Sequence, residues 1–187
     1  MILSKKIFII GVGGHGRSIA NFFKLKKNIF FIDKKKNPKF QVIGNDNSFI
    51  KKYFNKKKIN LYMGIGYPNE IRRNIDNKYK KNNFNFKKFI HETAFVAKSS
   101  IIGEGSIIFP NVTIGNNVKI GKNTIVYSNA VIEHDSFVGD HCYIAPSAVI
   151  CGSVIINDGA FVGANACIIE KSNIRSDSFI KANSLIK

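Results

Sequence analysis

Glu133, His134 and Asp135 stand in a row inside a stretch made otherwise of Ile, Val and small residues. An outward-facing imidazole beside carboxylates is suited to general base work. One ring nitrogen takes a proton from a nucleophile, while Asp135 or Glu133 holds the other nitrogen and raises its basicity. A second candidate set opens the chain, where "GVGGHG" supplies Gly11, Gly13, Gly14 and Gly16, with His15 inside the loop and Arg17 directly after it. A glycine loop between a strand and a helix lets backbone approach a phosphate, and the helix N-terminus offers free N–H groups there. Arg17 can add charge to a diphosphate, and Asp33, 22 residues after Gly11, can accept hydrogen bonds from a ribose or base. Phosphate loops have no need of a histidine, so His15 is expected to face the ligand.

The elements that position the first set follow from a period of six. From Ile90 through Val96, Ile102 and onward to Ile186, every sixth residue is Ile or Val, seventeen in all, and four residues after most of them stands a small side chain. Such hexads mark a parallel β-helix, with the branched residue in the interior of each short strand and the small one at a tight corner. Three hexads close one coil, so residues eighteen apart stack at about 4.8 Å. His134, two residues past the interior Ile132, therefore sits at a corner and points outward, with Gly152 on the same corner in the next coil. A glycine there leaves a bare N–H and a side-chain-sized gap beside an imidazole. That pairing is what acyl transfer needs: a base for an attacking amine or hydroxyl, and a donor for the oxyanion.

Residues 1–89 read differently. Strands are predicted at Lys6–Gly11, Ile29–Asp33, Ile59–Gly66 and Phe84–Ile90, and helices at Arg17–Leu25, Asn45–Phe54 (capped by Asn45 or Asp46) and Pro68–Lys81. Alternating strand and helix gives a parallel, open, Rossmann-like α/β unit. It holds one mononucleotide half, which argues against a nicotinamide dinucleotide.

Charge is divided as sharply as periodicity. Residues 1–90 hold 22 of the 29 Lys and Arg against four acids, whereas residues 91–187 hold seven bases and eight acids. The basic half attracts polyanions, but arginine is scarce and no nucleic-acid motif appears, so nucleic acid is not an expected partner. No apolar run reaches the ~18 residues of a membrane span, and the start lacks a signal-peptide pattern, so a cytoplasmic location without membrane insertion is expected. Cys142, Cys151 and Cys167 have neither paired spacing nor neighbouring ligands, so thiols are expected rather than disulfides or a metal site.

Over nearly its whole length the chain resembles the bacterial sugar acyltransferases of the PglD and sialic acid O-acetyltransferase group. The resemblance is carried by "GVGGHG", "FIDK", "GIGYPNEIRR" and "AVIEHDSFVGD", in that order. It implies that the repeats, residues 90–187, form a left-handed β-helix. It implies acetyl-CoA as donor, contacted by Gly152, Ala164 and Ala182, and a nucleotide-linked 4-amino-4,6-dideoxy sugar as acceptor, with no metal. His134 would be the general base, Asp135 its orienting acid and Gly152 the amide donor. Gly11, Gly13, Gly14, His15, Gly16, Arg17, Asp33 and Gly66 would hold the nucleotide sugar. A homotrimer with sites between subunits is implied as well. Two other functions compete: O-acetylation of a sugar or sialic acid, and a non-catalytic nucleotide-sugar-binding trimer. The chain departs from the group's pattern at Tyr143, where a second histidine often stands, at Tyr127, in place of an asparagine, and at its end, which lacks the usual tail after "SLIK". For the trimer contact, the row Ile107, Ile125, Tyr143, Phe161 and Phe179, large and apolar at every level, is the expected face.

Overall fold

The apolar runs near the start of the chain form three parallel strands, β1 (Ile7–Ile10), β2 (Ile29–Ile32) and β3 (Asn60–Met63), in the order β2-β1-β3. In this computed structural model residues 6–23, 26–54, 59–67 and 69–187 are described. The chain divides into two compact units, residues 1–87 and 88–187.

In the first unit, α1 (Gly14–Asn21) follows β1, α2 (Asp46–Tyr53) follows β2, and α3 (Asn69–Lys80) follows β3. Helix α1 starts three residues earlier than the sequence predicts, because Gly13 is extended and the loop runs straight into the first turn. The predicted helical positions Lys24, Leu25 and Pro68 lie outside the described residues. Asn45 is the cap of α2, its side chain accepting the Ser48 N–H. Phe8, Phe49, Tyr53, Tyr79, Phe84 and Phe86 are all buried in one aromatic core. The fourth strand expected at Phe84–Ile90 does not join this sheet, which has three strands. Phe84 and Phe86 drop their rings into the core instead, and the Lys87 N–H bonds to the Leu61 carbonyl.

The second unit is the left-handed parallel β-helix. Seventeen two-residue strands, β4 (Phe89–Ile90) to β20 (Leu185–Ile186), stack into three sheets, neighbouring strands in a sheet lying eighteen residues apart in sequence. Interior Ile and Val are fully covered from Ile108 to Ile168, except Ile120 at 3% exposure, and open only toward the ends of the prism. Each such buried side chain contributes about 1.5–3 kcal/mol. Corners pass through the left-handed region, with φ of 50–63° at residues such as Asn117, Asn123, Asp135 and Asn165. Short polar side chains tolerate that conformation best.

The row expected to meet another subunit looks different in three dimensions. Ile107 and Ile125 are already covered within the chain, at 0% and 2% exposure, and Tyr143 and Phe161 are half-buried in a ladder of stacked rings that ends at the exposed Phe179. Large apolar side chains are exposed instead on the other two faces: Phe95, Val149 and Leu185 on one, Ile101, Phe137 and Ile155 on the other.

Candidate active site

The His134 corner is built by register. Strand β11 (Val131–Ile132) pairs with β14 (Val149–Ile150), so the turns that follow them lie one above the other. A buried hydroxyl ties them together: Ser136 Oγ donates to the Cys151 carbonyl at 2.9 Å and accepts the Val154 N–H at 3.2 Å. The Ser153 N–H donates to the His134 carbonyl at 2.9 Å. The consequence is a close fit. A Cβ added at Gly152 would lie 2.7 Å from His134 Cε1, 2.8 Å from Nε2 and 3.3 Å from Nδ1. The imidazole thus lies against a glycine whose N–H has no acceptor among the described residues.

His134 Nδ1 and Asp135 Oδ2 are 2.9 Å apart. Facing an ionised carboxylate, Nδ1 must carry the proton, which leaves Nε2 with its lone pair and with no partner among the described residues. The hydrogen bond to Asp135 raises the His134 pKa above its ordinary value, and the negative charges of Asp135, Glu133 and Glu170 add to the effect. Glu170 stands on the same corner one coil beyond Gly152. Asp135 itself is held below the usual carboxylate range, first by a hydrogen bond from Asn117 and then by His134. Of the two carboxylates that the sequence left open for the role, Asp135 makes the contact.

Ala164 and Ala182 stack one coil apart, the Asn183 N–H donating to the Ala164 carbonyl. They lie on another edge of the prism. Their corner follows β16 (Phe161–Val162) and its sheet, whereas Gly152 follows β14 in the next sheet. Within one chain, the residues expected to contact CoA are therefore divided between two edges.

The glycine loop divides as well. Gly11 adopts φ 89°, and a Cβ at Gly16 would meet the Gly11 carbonyl oxygen at 2.1 Å, so both glycines are demanded by the turn itself. At Gly13 and Gly14 a Cβ would meet nothing within 4 Å, and the space above them is open. The N–H groups of the first turn of α1 have no acceptor inside the helix. Asp33 braces this loop, its Oδ2 accepting the Val12 N–H and its Oδ1 the Lys35 N–H, both at 2.9 Å. The Arg17 guanidinium lies over the Phe40 ring, 5.9 Å from its centroid.

His15 is turned inward. Burial, with help from the Arg72 charge, lowers its pKa to about 3, against a hydrogen bond to the Met63 backbone. It is neutral near pH 7 and offers no positive charge to a phosphate. Arg72 is fully buried, its Nη1 donating to the Gly66 carbonyl at 3.3 Å and to Asn69 Oδ1 at 3.1 Å. The Gly66 carbonyl is thus taken up by Arg72. Asn69 and Arg72 both belong to the "GIGYPNEIRR" stretch, and their spacing of three on α3 brings the amide and the guanidinium together, a pairing that the motif alone does not assign. The sequence reading missed Asn117, which lies eighteen residues before Asp135.

Among the described residues no group of His, Cys, Asp and Glu side chains could hold a metal ion, and no helix is long and apolar enough to cross a membrane. The three cysteines form no disulfide.

Residues 6–79 match the family model described as the PglD N-terminal domain, and residues 99–134 and 135–170 match the model of the bacterial transferase hexapeptide, six repeats. Among solved structures, the acetyltransferase domain of PglB from Neisseria gonorrhoeae FA1090 is 25% identical, with 98% of this chain and 91% of that chain covered and a TM-score of 0.89. The same domain in complex with acetyl coenzyme A gives 25% identity, 97% and 92% coverage and a TM-score of 0.87. A variant of perosamine N-acetyltransferase from Caulobacter crescentus, in complex with CoA and GDP-perosamine, gives 25% identity, 97% and 88% coverage and a TM-score of 0.88.

Proposed function

We propose that this chain, which belongs to the bacterial sugar acyltransferases built from a PglD-type N-terminal domain and a hexapeptide-repeat β-helix, transfers the acetyl group of acetyl-CoA to the amine of a nucleotide-linked 4-amino-4,6-dideoxy sugar. The observation that carries this reading is the His134 imidazole, held at Nδ1 by Asp135 and lying against the bare backbone of Gly152.

In this mechanism the sugar nitrogen attacks the thioester carbonyl and a C–N bond forms. His134 Nε2 takes a proton from that nitrogen, and Asp135 stabilises the resulting imidazolium. The Gly152 N–H donates to the oxyanion of the tetrahedral intermediate. Collapse breaks the C–S bond, and the departing thiolate receives the proton from His134. Glu133, Asp135 and Glu170 place negative charge near the base, which draws in an amino acceptor that is an ammonium ion in solution over a neutral hydroxyl; the ammonium gives one proton to solvent before its nitrogen attacks as the neutral amine. In the first unit, the open backbone over Gly13 and Gly14, the first turn of α1 and Arg17 take the nucleotide diphosphate. Asp33, the half-buried His15 and the buried Arg72 keep the loop in shape.

A homotrimer accounts for the divided CoA residues, since an edge bearing Ala164 and Ala182 on one prism can face the Gly152 edge of its neighbour. The reading is tested by thiol release from acetyl-CoA with a panel of UDP-, GDP- and dTDP-linked 4-amino sugars and their 4-hydroxyl counterparts. Release with an amino sugar and not with its hydroxyl counterpart is expected. Release with hydroxyl acceptors alone would make the protein an O-acetyltransferase, and nucleotide-sugar binding with no release would make it a binding protein.

A further inference from the structure

The hydrogen bonds at the His134 corner do not end at Asp135. One coil earlier Asn117 occupies the same left-handed corner position, φ 57°, and its Nδ2 donates to Asp135 Oδ1 at 3.0 Å. Asn117 is itself seated from below, its N–H donating to Ser99 Oγ at 3.0 Å. The Asp135 carboxylate therefore has one oxygen on an amide and the other on the imidazole.

The arrangement matters because this corner is wet. Side-chain exposure is 57% for His134 and 53% for Asp135, so packing does not fix either rotamer. The charged groups along the corner and its neighbouring turns are Lys98, Glu133, Asp135, Glu170 and Lys171. Glu133 and Glu170 draw a proton to the ring without selecting a nitrogen. Asp135 selects Nδ1, and only while its free oxygen is aimed there. A carboxylate that already accepts an amide hydrogen bond loses most of its rotational freedom and remains ionised.

We propose that Asn117 is a positioning residue for acetyl transfer: its amide aims the Asp135 carboxylate so that His134 keeps its proton on Nδ1 and presents a bare Nε2 at Gly152. The inference rests on the reading of His134 as the base, and its test separates the two.

Nitrogen-15 spectra of the full chain labelled at histidine report the neutral tautomer of His134 without any substrate. The wild-type protein should show the Nδ1–H form. Asn117→Ala and Asn117→Asp should both show a mixture with the Nε2–H form. The aspartate variant keeps the size and the corner conformation but sets an acceptor against an acceptor, so it remains informative if the alanine variant folds poorly. With an amino-sugar acceptor, kcat should fall about ten-fold, the worth of one hydrogen bond to a charged group, while KM for acetyl-CoA stays within about two-fold. A wild-type tautomer in both variants overturns the proposal, as does an unchanged kcat. A tautomer shift in a protein that acetylates no acceptor would uphold the positioning and refute the transferase reading.

Discussion

Gly152→Ala is the sharpest test of the site, because one methyl group lands where the imidazole lies. The added Cβ would sit 2.7 Å from Cε1 and 2.8 Å from Nε2 of His134, where ordinary carbon contacts begin near 3.5 Å, a shortfall of roughly 0.7–0.8 Å. Gly152 has no positive φ, so the alanine adds no backbone strain, and the ring it meets is the exposed end of a side chain. The ring gives way rather than the fold. Swinging aside breaks its 2.9 Å contact with Asp135 and carries Nε2 away from the Gly152 N–H. A misplacement near 1 Å costs on the order of 100-fold, and complete loss of a general base 10²–10⁴-fold, so kcat should fall by about 10²–10³. Turnover is measured by thiol release and the fold by thermal melting, with Tm expected within a few degrees of wild type. A Gly152→Ala protein that keeps more than about a tenth of wild-type kcat shows that the His134–Gly152 contact is not where the reaction occurs.

Since His134 works unprotonated and its pKa is raised, activity should fall as pH drops through a value above the ordinary imidazole pKa of about 6.5. In Asp135→Asn that acid limb should move to lower pH and the rate should drop sharply, and a limb that stays in place would remove Asp135 from the dyad. His15 should make the protein acid-sensitive. The unfolded chain takes up its proton near 6.5 and the folded chain only near 3, so stability falls as pH drops through that window, by at most about 1.4 kcal/mol per pH unit. Urea midpoints at pH 7 and 5.5 should reveal this slope and show it reduced in His15→Gln. In the proposed homotrimer Ile155, exposed on the face that follows the Gly152 turn, should lie in the subunit contact, so light scattering at micromolar concentration should find the wild type trimeric and Ile155→Asp monomeric. A trimer that survives rules out that face.

The β-helix was legible because its period is written into the covalent chain, and the stacking of Gly152 on His134 followed from counting eighteen. The same count from Asp135 reaches Asn117, so that partner was within reach and needed only attention to the corner's next position. The first unit was legible in its order of strands and helices but not in its details. Phe84 and Phe86 alternate as a strand would, yet their rings were needed in the core, and the segment gave up its place in the sheet. His15 reads as a ligand contact because a phosphate loop has no use for it. Its inward orientation depends on where α3 carries Arg72, which no local pattern records. The covering of Ile107 and Ile125 was hidden for a similar reason, since exposure is a property of the folded surface and not of the hexad.

Because the imidazole and its glycine are brought together by coil count alone, the site behaves like a reading frame. One residue inserted between Asp135 and Gly152 would set Cys151 where Gly152 stands, and one deleted would set Ser153 there, and either side chain would strike the ring. Eighteen residues inserted would restore every interior contact and still place the wrong neighbour over His134. Lengthening the prism beyond Lys171, or shortening it there, leaves the frame untouched.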